Sequence, residues 1–505
     1  MFPPYRPTRS RPRALWFLGV LLLCALVRTS AAAGGERRFG FQDYVELGLR
    51  QALEMQVERT RIAEHRAALE AADLPFAAVL NLRGTASLEE APARQSISGV
   101  QNLRENGLSL RAGVEQRLRT GTNLSFGYEA QRDDTNDKNA LIDPLHANSG
   151  SIAVTQSLLR GFGIDLPSRD LLQTRLDLEA ALCEFRRALQ ELLLSLTNAY
   201  WDLWLAEQEQ ALQEEAHERA KQQFELTSGH VEKGLLPKND VLVVEENLVR
   251  FSASLEESRY RVGEHRRTFL SFLDPDPDLR PVLVDSPPLE LRVPETRAYL
   301  AKVQLEREPG YRALLVQHRR ESVSLAYEQD QLRPLVDLET SLSVNGVADT
   351  WPLSMERLGG FDAFGGQLAL RFQSPFPGAA LWGKREAARL RLRRLDRELA
   401  LQRRELAVTL SGNLEALDLR RRQHELLARI ADLADLKLAA EEEKYRLGLS
   451  TLNDLVLFQR ERAEARGAAS RALVVWHQAY MAVYASVGLL GERFGVSVEE
   501  DALHD

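Results

Sequence analysis

Two hydrophobic periods alternate along this chain, and each is used twice. Leu178, Leu182, Phe185, Leu189, Leu192, Leu196, Ala199, Leu203 and Ala206 fall on one heptad seam, the spacing of a coiled-coil helix. The seam predicts a helix over 166–230, and about 65 residues at 1.5 Å each would reach roughly 100 Å, longer than a globular core requires. A returning helix over 241–272 carries Val241, Val244, Leu248, Phe251, Leu255, Val262, Phe269 and Phe272. A proline-rich irregular segment, 273–294, stops it. The pattern then recurs, with a long helix over 379–446 and a last one over 455–490 whose seam is Ala469, Leu473, Trp476, Tyr480, Val483, Val487 and Leu490.

Between the helices the period falls to two. Within 76–158, Leu80, Leu82 and Leu88 alternate with Asn81, Arg83 and Ser87. Leu108, Leu110 and Val114, then Leu124, Phe126 and Tyr128, then Ile152 and Val154 do the same. Within 335–373, Val336, Leu338, Leu342 and Val344 make one strand, a Gly-rich loop follows, and Leu368, Leu370 and Phe372 make another. One apolar face per strand fits a soluble sheet or a membrane barrel equally; segments near ten residues suit the barrel. Shorter helices over 41–73 and 295–332 precede each strand region, the second interrupted at Pro309.

The unit of helix, strands, long helix, tip and helix therefore occurs over 34–294 and again over 295–491, with an acidic tail at 492–505. The tips, 231–240 and 447–454, are near copies: Gly234 and Gly448 lie 214 positions apart (448 − 234), as do Leu235 and Leu449, Asn239 and Asn453, and Asp240 and Asp454. Glycine just past a helix end supplies a left-handed cap, so each tip reads as the bend of a helical hairpin, and the shared spacing reads as duplication.

Composition narrows the setting. Arg6, Arg9, Arg11 and Arg13 precede an apolar run over 14–27 and then Ala31-Ala32-Ala33, the form of an export leader over 1–33 cleaved near Ala33. Cys24 follows Leu22-Leu23 rather than the small residue a lipoprotein site wants, which favours simple cleavage. Without the leader's five arginines the net charge moves from −8 to −13, against a nucleic-acid partner. Cys183 is then the one cysteine left, so no disulfide closes within the chain.

Candidate chemistry is thin. Gly378-Ala379-Ala380-Leu381-Trp382-Gly383-Lys384-Arg385 lacks the Ser or Thr of a phosphate loop. Asp274, Asp276 and Asp278 have calcium-loop spacing but intervening prolines and no turn glycine. The nine histidines form no metal motif, and Tyr200-Trp201-Asp202-Leu203-Trp204 reads as packing. The expectation is no enzyme, no cofactor and no metal.

Ala199-Tyr200-Trp201-Asp202-Leu203, Gln156-Ser157-Leu158-Leu159-Arg160-Gly161-Phe162-Gly163, the two tips and the duplicated layout together resemble the TolC-like outer membrane efflux proteins, over essentially the whole chain after the leader. The resemblance implies a homotrimer with one shared barrel in the outer membrane of a Gram-negative bacterium. Its helices would form a trimeric α-barrel tunnel in the periplasm, with 273–294 near the equator. It implies a passive exit duct for a tripartite pump or type I secretion system, with a periplasmic adaptor and an inner membrane transporter as partners. Adaptor contacts carry over to Gly234, Leu235, Gly448, Leu449 and Ser450, and Leu236 is added from its place in the turn. Asp454 matches an acidic gate position, and Tyr445 and Asp240 match its latch; Leu457 and Ser450 depart from the family's second acidic ring and latch arginine. The family has two strands per repeat, whereas repeat one here offers four segments; the extra hairpin, roughly 107–131, either widens the barrel or folds beside it. The competing reading is an exported periplasmic coiled-coil scaffold whose strands form a soluble sheet.

Overall fold

The structure, a computed structural model, describes residues 36–92, 98–273, 279–374, 376 and 379–496. The leader, Asp274, Asp276, Asp278, Gly378 and the tail beyond Val496 lie outside the described residues. The chain divides into two compact units. The tip unit holds the described residues up to Ala52, with Ser195–Leu291 and Arg420–Gln478; the sheet unit holds Leu53–Leu194, Arg292–Leu419 and the described residues from Ala479.

The tip unit begins with strand β1 (Glu36–Phe39) and helix α1 (Phe41–Gln51). Ala52 turns out of the helical region (ψ 119°), which breaks the single helix expected over 41–73 into α1 and α2 (Leu53–Ala71). Later in the chain come the long helix α3 (Arg169–Glu232) and helix α4 (Lys238–Ser271). The proline-rich segment is not wholly irregular: β6 (Arg280–Leu283) pairs in parallel with β1. That pairing, invisible to local periodicity, closes over an aromatic core. Tyr44 stacks on Phe269 at 3.9 Å between ring centroids and donates its hydroxyl to the Phe269 carbonyl at 2.9 Å. Tyr200 donates to the Phe39 carbonyl at 3.0 Å and accepts from the Asp285 N–H at 3.3 Å. Trp201 is buried beside Phe41 and His477. Each buried hydroxyl thus has a partner, as burial demands.

The sheet unit is built on six antiparallel strands. These are β2 (Val79–Pro92), β3 (Asn102–Arg117), β4 (Thr122–Thr135), β5 (Leu145–Ser157), β7 (Leu335–Ala348) and β8 (Ala363–Gln373), in the order β2-β3-β4-β5-β7-β8. The two repeats meet at β5 and β7. The extra hairpin expected over 107–131 is β3–β4, and it lies within the sheet rather than beside it. Helices α5 (Arg297–Arg307) and α6 (Pro309–Asp330) precede β7. Asp330 caps the turn after β5 by accepting from the Gly161 N–H at 2.8 Å. Between β7 and β8 the stretch expected to be a Gly-rich loop contains helix α7 (Trp351–Gly359). Its signals were local: Thr350 at the N-cap position, Pro352 in the first turn and Gly360 at the end. Helices α8 (Ala379–Arg446) and α9 (Leu452–Val487), with the short α10 (Leu490–Arg493), complete the chain. α3, α8 and α9 contribute residues to both units.

Candidate functional site at the tips and the sheet wall

The two tips are geometric copies. In the first, the Leu235 N–H reaches the His230 carbonyl and the Gly234 N–H the Val231 carbonyl, both at 2.9 Å. In the second, Leu449 reaches Lys444 at 2.9 Å and Gly448 reaches Tyr445 at 3.0 Å. Both are Schellman caps, which require the left-handed φ of +70° at Gly234 and +71° at Gly448. The leucines that follow are left in solvent, Leu235 at 68% exposure and Leu449 at 75%, while Leu236 is half-buried.

The remaining sequence-matched positions are not gathered into one cluster. Asp454 is exposed at the third position of α9, where its carboxylate accepts from the Thr451 hydroxyl at 2.6 Å and its N–H donates back to that oxygen at 3.2 Å. This is a capping arrangement, and it places a negative charge at the positive end of the helix. Ser450 turns inward and donates to the Glu441 carboxylate, which Lys444 also meets at 3.1 Å. Those two donors, Ser450 first, hold the Glu441 carboxyl below the usual carboxylate range. Tyr445 and Asp240 are half-buried, and no hydrogen bond joins Asp240, Tyr445 and Asp454 among the described residues.

Above the tips an ion-pair ladder, which the sequence reading missed, ties the hairpins together. Asp435 of α8 meets Arg462 of α9 at 2.8 Å and is also held by Arg466. Arg462 reaches on to Glu215 of α3 at 3.2 Å, and Arg219 spans Glu215 and Glu442 at 2.9 and 3.1 Å. The Arg466 guanidinium, then Arg462, hold Asp435 well below the usual carboxylate range. The signal available in sequence was Arg462 and Arg466 one helical turn apart, facing a partner helix.

The sheet's two faces differ sharply. The register sets Leu80 opposite Val114, Val114 opposite Phe126, Phe126 opposite Ile152 and Ile152 opposite Leu342, one apolar row across five strands. Leu368, Leu370 and Phe372 of β8 continue that face on the sixth strand. Away from one end, no layer among the described residues covers it: Leu80 is 65% exposed, Leu342 60% and Leu370 66%. The other face carries Asn81, Arg83, Ser109, Arg111, Glu129, Gln131, Ser151, Ser343, Glu339 and Arg371, with Arg111 and Glu129 paired at 2.6 Å. α7 packs on the apolar face at one end, where Ser354 bonds Asn148 at 2.5 Å and Tyr128 bonds Asn148 at 2.7 Å. No described helix is long and apolar enough to cross a membrane.

No family model matches this chain, and no curated protein does. Solved structures do. The outer-membrane channel OprN is similar over 89% of this chain and 89% of its own, at 18% identity and a TM-score of 0.64. CusC, described by its transmembrane channel formation, is similar over 88% and 91%, at 11% identity and 0.64. The CmeC outer membrane channel of Campylobacter jejuni is similar over 92% and 89%, at 13% identity and 0.62. Likeness at such identities is one of fold. The chain has the fold of the TolC-like outer membrane channels, the fold its sequence motifs resemble. These structural neighbours are channel proteins, not enzymes.

Proposed function

We propose that this protein is an outer-membrane conduit, a passive exit duct in which three copies close one barrel through the membrane. The observation that carries the reading is the sheet: six strands, one apolar face exposed over most of its extent, one polar face, and edge strands β2 and β8 that are each paired on one side only among the described residues. Lipid provides no partner for an open strand edge, so such a wall belongs in a membrane only when other copies close it. A soluble scaffold would have to leave the same apolar face in water.

The rest of the reading follows from the resemblance. The chain is exported by a leader cleaved near Ala33 and works with a periplasmic adaptor and an inner membrane transporter of a tripartite pump or a type I secretion system. Gly234, Leu235, Leu236, Gly448, Leu449 and Ser450 meet the adaptor, with the two exposed leucines as anchors. Asp454, with Tyr445 and Asp240, gates the closed end, where like charges from three copies favour cations.

Native mass after membrane fractionation, with and without detergent, tests the conduit. A trimer extracted only from outer membranes is expected; a soluble monomer or dimer would leave the scaffold reading in its place. In bilayer recordings, Asp454→Asn should weaken cation selectivity and cation block. Unchanged selectivity together with a lowered melting temperature would reduce Asp454 to its capping role.

A further inference from the structure

From the strand pairing we infer that the barrel wall has eighteen strands, six from each of three copies, and that its bore is correspondingly wide. The inference rests on the three-copy conduit proposed above and adds its calibre.

The deciding feature is the β3–β4 hairpin. For the wall to have only four strands per chain, β2 would have to pair with β5 and leave the hairpin outside. Instead β3 pairs with β2 over the whole length of β2, from Val79↔Glu115 to Pro92↔Asn102. β4 pairs with β5 from Thr122↔Gln156 to Asp133↔Leu145. Excluding the hairpin would break both ladders, and each buried bond left unmade costs far more than a surface contact. The hairpin's turn is also pinned. Arg119 meets Asp73, beyond the end of α2, at 2.7 Å. Gly121, at φ +82°, packs so closely on the Gly161 carbonyl that a Cβ would fall inside contact distance.

The apolar row runs through the hairpin without interruption, since Val114 and Phe126 sit between Leu80 and Ile152. Strand direction alternates at every step from β2 to β8. The seam between β8 of one copy and β2 of the next is therefore antiparallel as well, so three copies close without a change of pattern. The helix between β7 and β8, α7, packs on the apolar face at Gly346 rather than on the polar face.

Calibre follows from strand count. With ~4.8 Å between strands and a tilt of ~40°, eighteen strands close at a backbone diameter of roughly 36 Å, and twelve at roughly 24 Å. Taking roughly 5–6 Å from each side for side chains leaves a passage of roughly 25 Å in the first case and roughly 12 Å in the second. Two packed helices are about 20 Å across. Only the wider wall would leave room for a body of that width.

End-on imaging of the detergent-extracted or nanodisc-held protein tests this by measuring the wall diameter and counting copies. Three copies around a wall of roughly 36 Å are expected. Three copies around a wall of roughly 24 Å, with hairpin density outside it, would overturn the inference and leave the conduit standing; so would two copies closing twelve strands. A preparation without membrane-extracted rings would overturn the conduit itself. A second reading comes from polyethylene glycol of about 20 Å hydrodynamic diameter added on the barrel side of a bilayer. It should enter and lower the conductance, whereas a wall of roughly 24 Å would exclude it and leave the conductance unchanged.

Discussion

At Gly234 and Gly448 the reason for glycine is the backbone, since a Cβ at either would meet nothing within 4 Å. The constraint is the left-handed φ, so asparagine should be tolerated there better than valine. Buried His477 obeys a different logic. Its ring lies 5.0 Å from Trp201 and 6.3 Å from Phe41, its Nδ1 has no hydrogen-bond partner among the described residues, and burial pushes its pKa down to about 4. The folded value lies below the unfolded 6.5, so the unfolded chain takes up the proton first as pH falls. Stability from the neutral ring is therefore complete above about pH 6.5 and is lost as pH drops toward 4. The loss between pH 7.5 and 5 is about 2 kcal/mol for this one group. Burial raises Asp202 and Glu207, which act in the opposite sense. Melting curves from pH 7.5 to 5 should show that His477→Phe flattens this slope; an unchanged slope would assign it to other groups. None of this was legible in sequence, where His477 was one of nine scattered histidines.

The elements divide by how local their signals are. The long helices were legible because an apolar seam such as Leu178 to Ala206 in α3 persists over many turns, and because Gly234 and Gly448 mark where the hairpins bend. The strands were legible because one face of each carries a run of apolar residues at every second position, as at Leu108, Leu110 and Val114 in β3. α7 was not, since nine residues hold too few turns to show a period against two flanking strands. The β1–β6 pair was not, because a parallel pair of four-residue strands separated by more than 200 positions leaves no periodic trace. α7 offers a direct test of its seat. A Cβ at Gly346 would collide with the Ser354 carbonyl oxygen and crowd Leu358. Gly346→Val should lift the helix off the sheet and break the Asn148–Ser354 bond. A cost of roughly 1–3 kcal/mol would raise trypsin cleavage after exposed Arg357 by about 5- to 150-fold. Unaltered cleavage would mean that α7 is held by its ends rather than by Gly346.

For the whole molecule, the fold was legible once repetition was seen. Two tips with matched spacing and two strand regions fix a duplicated hairpin architecture that no single motif would. The strand order was legible only in part: alternation identifies strands, but it carries nothing about β5 meeting β7 across the repeats, which is where the sheet becomes one wall. The tips show the same limit. The Gly-Leu motif is local and readable, whereas the ladder through Asp435, Arg462 and Glu215 joins three helices far apart in sequence.

The alternating strand direction also constrains how such a protein can change over generations. A single inserted strand would deliver the chain to the opposite end of the sheet from the helix that follows, and would set parallel strands at the seam between copies. Viable insertions therefore come as whole hairpins, and in a threefold assembly each one adds six strands at once. Pore calibre in this lineage would advance in steps rather than drift. The first repeat, which gives the six-stranded sheet two strands more than the second does, has the form of one such step already taken.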